Sequence, residues 1–217
     1  CYVIPNAIEP IEMKEKPKDG IVRLIYHSTP HRGLELLIPS FEYLAEKHDN
    51  IELDVYSSFN LYGWAERDKP YEELFDRCRQ HPKIHYHGTQ PNDVIREALK
   101  KADIFAYPNI WPETSCLCAI EALDAGCLML APNYAALPET AASWGITYQW
   151  TPNHSKHANL FTSILDNMIQ TLSEDKDDAE HMIYQQKMYY DNFYSWKVRI
   201  PQWEQLLRNI LWERNEL

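Results

Sequence analysis

Apolar residues in this chain fall into two patterns. Short, nearly unbroken runs alternate with longer stretches in which they recur every three or four positions. The runs read as strands: Ile21 to Tyr26, the alternating Ile51 to Tyr56, Lys83 to Gly88, Ile104 to Tyr107, Cys127 to Ala131 and Ile146 to Trp150. Between them, Leu34, Leu37, Ile38, Phe41, Leu44 and Ala45 predict a helix to about Lys47. Pro39 falls inside it and is expected to kink it or to detach its first turn. Tyr71, Leu74, Phe75 and Cys78 outline a helix after a loop over 62–68. Val94, Ile95, Ala98, Leu99 and Ala102 form the stripe of a helix with Pro91 at its first turn. Leu117, Ile120 and Leu123 predict a helix that Pro108 and Pro112 delay until Thr114 or Ser115 and that Gly126 ends. Residues 133–140 form a loop leading into a short helix that ends near Gly145.

About six strands alternating with helices predict an α/β, Rossmann-like, three-layer parallel sheet. The tail departs from that rhythm. Helical periods over 157–172 and 179–190 are separated by the charge run 173–178, where Asp175 and Asp177 read as a solvated turn rather than a metal pair. A last helix from Trp196 carries Ile200, Trp203, Leu206, Leu207 and Ile210 on one stripe, with Pro201 in its first turns. Residues 1–20, rich in Pro, Glu and Lys, read as a linker or surface arm, 21–190 as the Rossmann-like domain and 191–217 as a C-terminal helix that closes the chain.

Chemistry concentrates where strands hand over to helices. Loops at the ends of parallel strands are where doubly wound sheets bind ligands. After the first strand, Arg32 offers a guanidinium suited to phosphate and Gly33 permits close backbone approach. After the fourth, Glu113 lies in the loop and Glu121 in the helix, about 40° round from Leu117 and so beside the apolar stripe. The amides of Thr114, Ser115 and Cys116 between them would suit an anion. The same local pattern also fits a helix capped by Ser115 with two ordinary surface glutamates.

Glu113-x7-Glu121, inside this strand, loop, helix, Gly and strand frame, resembles the donor-site signature of retaining GT-B-fold glycosyltransferases of family 4. The resemblance extends from Val3-Ile-Pro-Asn-Ala, similar to the family's interdomain connector, to Phe193-Tyr-Ser-Trp196 before a helix that crosses back to the N-terminal domain. It implies half of a GT-B fold. It also implies that Glu113 contacts the donor sugar, Glu121 the ribose hydroxyls, and the amides of Thr114 to Cys116 the diphosphate. Arg32, with Ser28 and Gly33, belongs to the diphosphate loop, and His87, Gly88 and Gln90 to the base pocket. Glu113 and Arg32 are the catalytic expectations, with no cofactor and no metal required. The family's first basic position in that loop is Ser28 here, so His27 or His31 is expected to substitute, or the donor is held less tightly. The implied partners are a nucleotide sugar and a missing N-terminal domain of the same polypeptide, which could bring peripheral membrane association. Transfer by this part alone is expected to be poor. A non-catalytic module of the same fold, or a UDP-sugar epimerase, are the alternatives.

Composition narrows the field. The formal charge is −11, with 32 acids against 21 bases, which argues against nucleic acid as a partner. The 217 residues hold no apolar run near the roughly 20 residues of a membrane span. Cys1 to Pro5 is too short and lacks the basic start of a signal peptide, so none is expected there. Five cysteines at 1, 78, 116, 118 and 127, three of them in one helix–strand unit, fit free thiols in a reducing, cytoplasmic setting. Cys116 and Cys118 are too close for a usual zinc pair, and His85 and His87, on one strand face, have no evident third ligand. The glycine pattern contains no Gly-x-Gly-x-x-Gly, no phosphate-loop Gly-Lys-Ser/Thr and no Gly-x-Ser-x-Gly, which sets aside NAD dehydrogenases, P-loop kinases and α/β-hydrolases.

Overall fold

The computed structural model describes residues 2–174 and 180–215, the side chains of 213–215 excepted. Six strands form one parallel sheet: β1 (Val22–His27), β2 (Ile51–Tyr56), β3 (Ile84–Tyr86), β4 (Ile104–Ala106), β5 (Leu128–Pro132) and β6 (Ile146–Tyr148). Their order across the sheet is β3-β2-β1-β4-β5-β6. β1 is central, with His27 opposite Tyr56 on one side and Ile25 opposite Phe105 on the other. The order reverses between β1 and β4, so the crevice outside their C-terminal ends is the topological switch point.

Helices cover both faces: α1 (Leu34–Lys47), α2 (Glu72–Gln80), α3 (Asn92–Leu99), α4 (Leu117–Asp124), α5 (Leu137–Ala141), α6 (His154–Glu174), α7 (Glu180–Phe193) and α8 (Trp196–Asn215). The central strands are buried on both faces, which is why they read as continuous apolar runs: Leu24, Ile25, Leu53, Val55, Ile104, Phe105 and Leu130 are fully enclosed. This is the α/β, Rossmann-like architecture with extra C-terminal helices that the periodicity predicts.

Local departures have physical reasons. Pro39 neither breaks nor detaches α1, which runs unbroken from Leu34; Leu37, Ile38, Phe41 and Leu44 on both sides of the proline are locked in the core. Residues 59–71 are not an open loop but two 3-10 segments, Phe59–Tyr62 and Ala65–Tyr71, anchored by Asp68, which accepts from the Phe59 amide and the Ser58 hydroxyl. Val94 and Leu117, assigned to apolar stripes, are exposed. Asp175 and Asp177 lie outside the described residues.

The N-terminal arm is docked. Ile8 pairs with Ser195 in an isolated bridge, the Ile11 amide donates to Asp124 Oδ2 at 2.6 Å, and Lys16 Nζ donates to the carbonyls of Ala102 and Gly126. Gln186 of α7 donates to the Leu123 and Cys127 carbonyls, tying the last helices to α4 and β5. No helix among the described residues is long and apolar enough to cross a membrane.

Candidate donor-binding site

Two loops meet at the switch point. The loop after β1 ends in a 3-10 turn, Pro30–Arg32, and turns into α1 at Gly33 with φ +109°. A side chain there would place its Cβ 2.1 Å from the Pro108 carbonyl oxygen. The close approach that Gly33 permits is therefore to the loop after β4, and it holds the two loops together.

That contact brings Arg32 to Glu113. Arg32 Nη1 donates to Glu113 Oε1 at 2.5 Å, and the Tyr107 hydroxyl donates to the same oxygen at 2.7 Å. Ser28 Oγ lies 3.5 Å from the Tyr107 hydroxyl. Burial works against the Arg32 charge, but Tyr107 and Glu113 more than offset it and hold the guanidinium firmly protonated.

Beside this pair is a cleft of about 80 Å³, lined by His27, Ser28, Thr29, Arg32, Gly88, Gln90 and Cys118 among others. Three buried polar atoms on its lining residues have no hydrogen-bond partner: His27 Nε2, Thr29 Oγ1 and Arg32 Nε. Unsatisfied buried donors are costly, so three on one cleft make a place for an acceptor. Burial pushes the His27 imidazole down, but the charge on Cys118 and a hydrogen bond with it raise it overall. His31, the other candidate to replace the missing basic residue, behaves differently. It is stacked on Phe59, meets Trp111 edge-on, and is pushed down by burial and by Arg32.

α4 starts later than its sequence suggests. Its N-cap is Cys116, with extended backbone and no side-chain capping bond. Ser115 is not a cap; its hydroxyl accepts from Asn6 Nδ2 at 3.1 Å. The free amides of the helix end are those of Leu117 to Ala119, while Thr114 and Ser115 belong to the turn before it.

Glu121 lies elsewhere. Its Oε1 accepts from Asn92 Nδ2 at 3.0 Å and from Arg96 Nη1 at 3.4 Å. It borders a separate cavity of about 450 Å³ with Asn92, Arg96, Leu117 and Trp196. Glu121 sits on α4 and Arg32 on the turn before α1, and the two open into different cavities, although the charge of Glu121 reaches His27. Gly88 and Gln90 line the cleft, and the Gln90 amide donates to the His87 carbonyl. His87 does not line the cleft: its ring stacks on Tyr56 at 4.3 Å and bonds Asp54 Oδ1. His85 sits 3.9 Å from Glu52, and no group of three potential metal ligands occurs among the described residues.

Thr29, Tyr107, Asn92 and Arg96 were not singled out by sequence. A buried threonine in a polar loop and a tyrosine at a strand end carried a weak signal. Asn92 and Arg96 carried none, because reading α3 for its apolar stripe passes over its polar positions.

This fold and loop arrangement define a Rossmann-like α/β domain. The family of glycosyl transferases group 1 matches residues 9–187, and the chain belongs to it. Among curated proteins it is 23% identical, over 95% of its length, to lipopolysaccharide 1,2-N-acetylglucosaminetransferase of Salmonella typhimurium, of which it covers 56%. Solved structures share the fold. Sucrose-phosphate synthase from Thermosynechococcus elongatus superimposes with a TM-score of 0.69 at 18% identity, over 90% of this chain and 46% of that one. HepE of Anabaena, in complex with UDP and glucose, gives 0.69 at 18% identity over 95% and 56%. The chain therefore spans about half the length of these proteins and has the Rossmann-like architecture of one half of a GT-B glycosyltransferase.

Proposed function

We propose that this chain is the nucleotide-sugar-binding half of a retaining, family 4 glycosyltransferase. The observation that carries the reading is the trio of unpartnered buried groups, His27 Nε2, Thr29 Oγ1 and Arg32 Nε, around one cleft beside the first turn of α4 at the switch point. A diphosphate is the ligand such a cleft suits. It brings acceptors for the donors and negative charge for Arg32, for His27 and for the positive end of the helix. The cleft is well below the roughly 300–1,000 Å³ of a whole ligand pocket, so it would take only the phosphate end. The nucleotide would cross the first turn of α4 to bring its ribose to Glu121, with the base over Gly88 and Gln90. HepE, crystallised with UDP and glucose, supports a nucleotide sugar as the class of ligand.

In transfer, Arg32, His27 and the α4 amides would stabilise the charge that develops on the leaving diphosphate, which is the largest electrostatic demand of the reaction. Those groups meet the demand from protein alone, without a metal. Glu113, oriented by Arg32 and Tyr107, would hold the sugar hydroxyls. The acceptor would be bound by the other half of the polypeptide, in the cytoplasm or at a membrane surface reached through that half. Titrating the chain with UDP, GDP and ADP sugars tests the reading: saturable binding with no transfer to a panel of acceptors is expected, and robust turnover by this chain alone would refute the division of labour.

One observation favours a second reading. Arg32 and Glu113 already satisfy each other, as they would in a non-catalytic module that keeps the fold. The same titration separates the two, because such a module shows no saturable binding.

A further inference from the structure

Four described cysteines are reduced, and three of them, Cys78, Cys116 and Cys127, are buried. Cys118 alone among them is partly exposed, and it lines the cleft with His27 and Arg32. It is the second residue of α4, where the helix dipole favours a negative sulfur. His27 is only 5% exposed, and its unpartnered Nε2 belongs to the same cleft. We propose that Cys118 is a nucleophilic modification site for soft electrophiles, and that an adduct on its sulfur closes the cleft to the phosphate end of a ligand. The second half rests on the donor reading above; the first does not.

The groups facing the sulfur are His27 and Tyr26 from β1, Arg32 from the 3-10 turn, Tyr107 after β4, and Cys116 at the N-cap. A hydrogen bond from Cys116 is the largest influence and holds the Cys118 thiol well below its ordinary range, against burial, with help from His27 and Arg32. Cys116 moves the opposite way, pushed up by Cys118 and by burial. Tyr26 and Tyr107 are pushed up by burial and remain neutral phenols. Burial likewise raises Cys78 to about 12 and Cys127 to about 11, leaving them unreactive. With iodoacetamide, the Cys118 sulfur attacks the methylene carbon; a C–S bond forms, the C–I bond breaks and iodide leaves. The four-heavy-atom adduct then competes for a cleft of about 80 Å³.

The test is a time course of iodoacetamide labelling of the intact chain, read residue by residue by fragment mass spectrometry. At pH 7 Cys118 should label at least about tenfold faster than Cys78, Cys116, Cys127 or the same cysteine in guanidinium, where only a few per cent is thiolate. Its rate should stay nearly flat from pH 7 to 8, and His27→Gln should make it steeper. A Cys118 rate equal to that in guanidinium, or one that rises tenfold over that pH unit, overturns the site. Saturating UDP should protect Cys118, and the alkylated chain should lose UDP affinity at least tenfold. UDP that binds without protecting, and binds the adduct unchanged, overturns the closing step while leaving the donor reading intact. Fast labelling of a chain that never binds UDP retires the donor reading and leaves the nucleophile.

Discussion

At the scale of single residues, the two glutamates that mark this chain differ in how they are held. Glu113 is buried against Arg32 and Tyr107, so replacing it strands a guanidinium and confounds binding with folding. Glu121 is the cleaner probe, since Arg96 keeps other contacts when it is gone: its Nη2 also donates to the carbonyls of Glu9 and Pro10. Glu121→Ala should weaken UDP binding by about 1–3 kcal/mol in calorimetry, with unfolding nearly unchanged. Unaltered affinity would remove Glu121 from the site. His157 gives a second residue-level prediction. It is fully buried, bonded to the Tyr148 hydroxyl, and pushed down to about 4 by burial and by His154. The unfolded chain takes up its proton near 6.5 and the folded chain only near 4, so the unfolded state binds more protons across that window. Stability should therefore fall as pH drops from 6.5 toward 4. Asp124 opposes this: burial, against its Lys187 hydrogen bond, raises it to about 6, which favours the fold as pH falls through the same range. Urea unfolding of His157→Gln, compared with the unsubstituted chain at pH 7 and 5, should show a smaller acid loss; an equal loss sinks the assignment.

At the scale of elements, the site depends on two loops being held in contact, and Gly33 is the contact. Gly33→Ala would force a Cβ into the Pro108 carbonyl from a backbone angle that alanine rarely adopts. We expect a loss of about 3 kcal/mol in denaturant unfolding and a parallel loss of nucleotide affinity. A neutral outcome would show that the loops can part. The sequence made this geometry partly legible. Gly33, Arg32, Glu113 and Glu121 could be picked out because turn glycines and charges beside strand ends stand out against an apolar frame. The identity of Gly33's neighbour could not, because Pro108 lies 75 positions further along the chain. The start of α4 was misplaced for a related reason. Ser115 is the better cap by local preference, but its hydroxyl is bound to Asn6 of the arm, and the helix begins after Cys116 instead. Strands and helices were legible because burial on one or two faces imprints a period. Side-chain pairs across the crevice imprint none.

At the scale of the whole molecule, the arm and α8 are one unit. Arg199, nearly fully buried, donates to the carbonyls of Asn6 and Phe193 and to Gln202, and the Ile8 amide bonds the Tyr194 carbonyl. Beyond that clasp α8 runs on with its apolar side uncovered: Trp196, Ile200, Trp203, Leu207 and Ile210 are each at least 41% exposed. They recur at alternating intervals of four and three, the seam spacing of helices that pack against another helix. The sequence showed this stripe plainly; such a stripe normally marks core, an isolated domain is expected to leave part of it exposed, and the structure shows which residues are bare. A contiguous apolar face of this kind is an association surface. The chain by itself should therefore self-associate as its concentration rises, and Trp203→Glu with Leu207→Glu should return it to a monomer in sedimentation velocity. Nucleotide affinity should not change, because neither residue borders the cleft or the Glu121 cavity. A chain that stays monomeric throughout would mean the seam is too weak to bind its own kind. A double variant that loses UDP binding would mean that α8 supports the site through the arm, by way of the Asn6 and Ser115 contact.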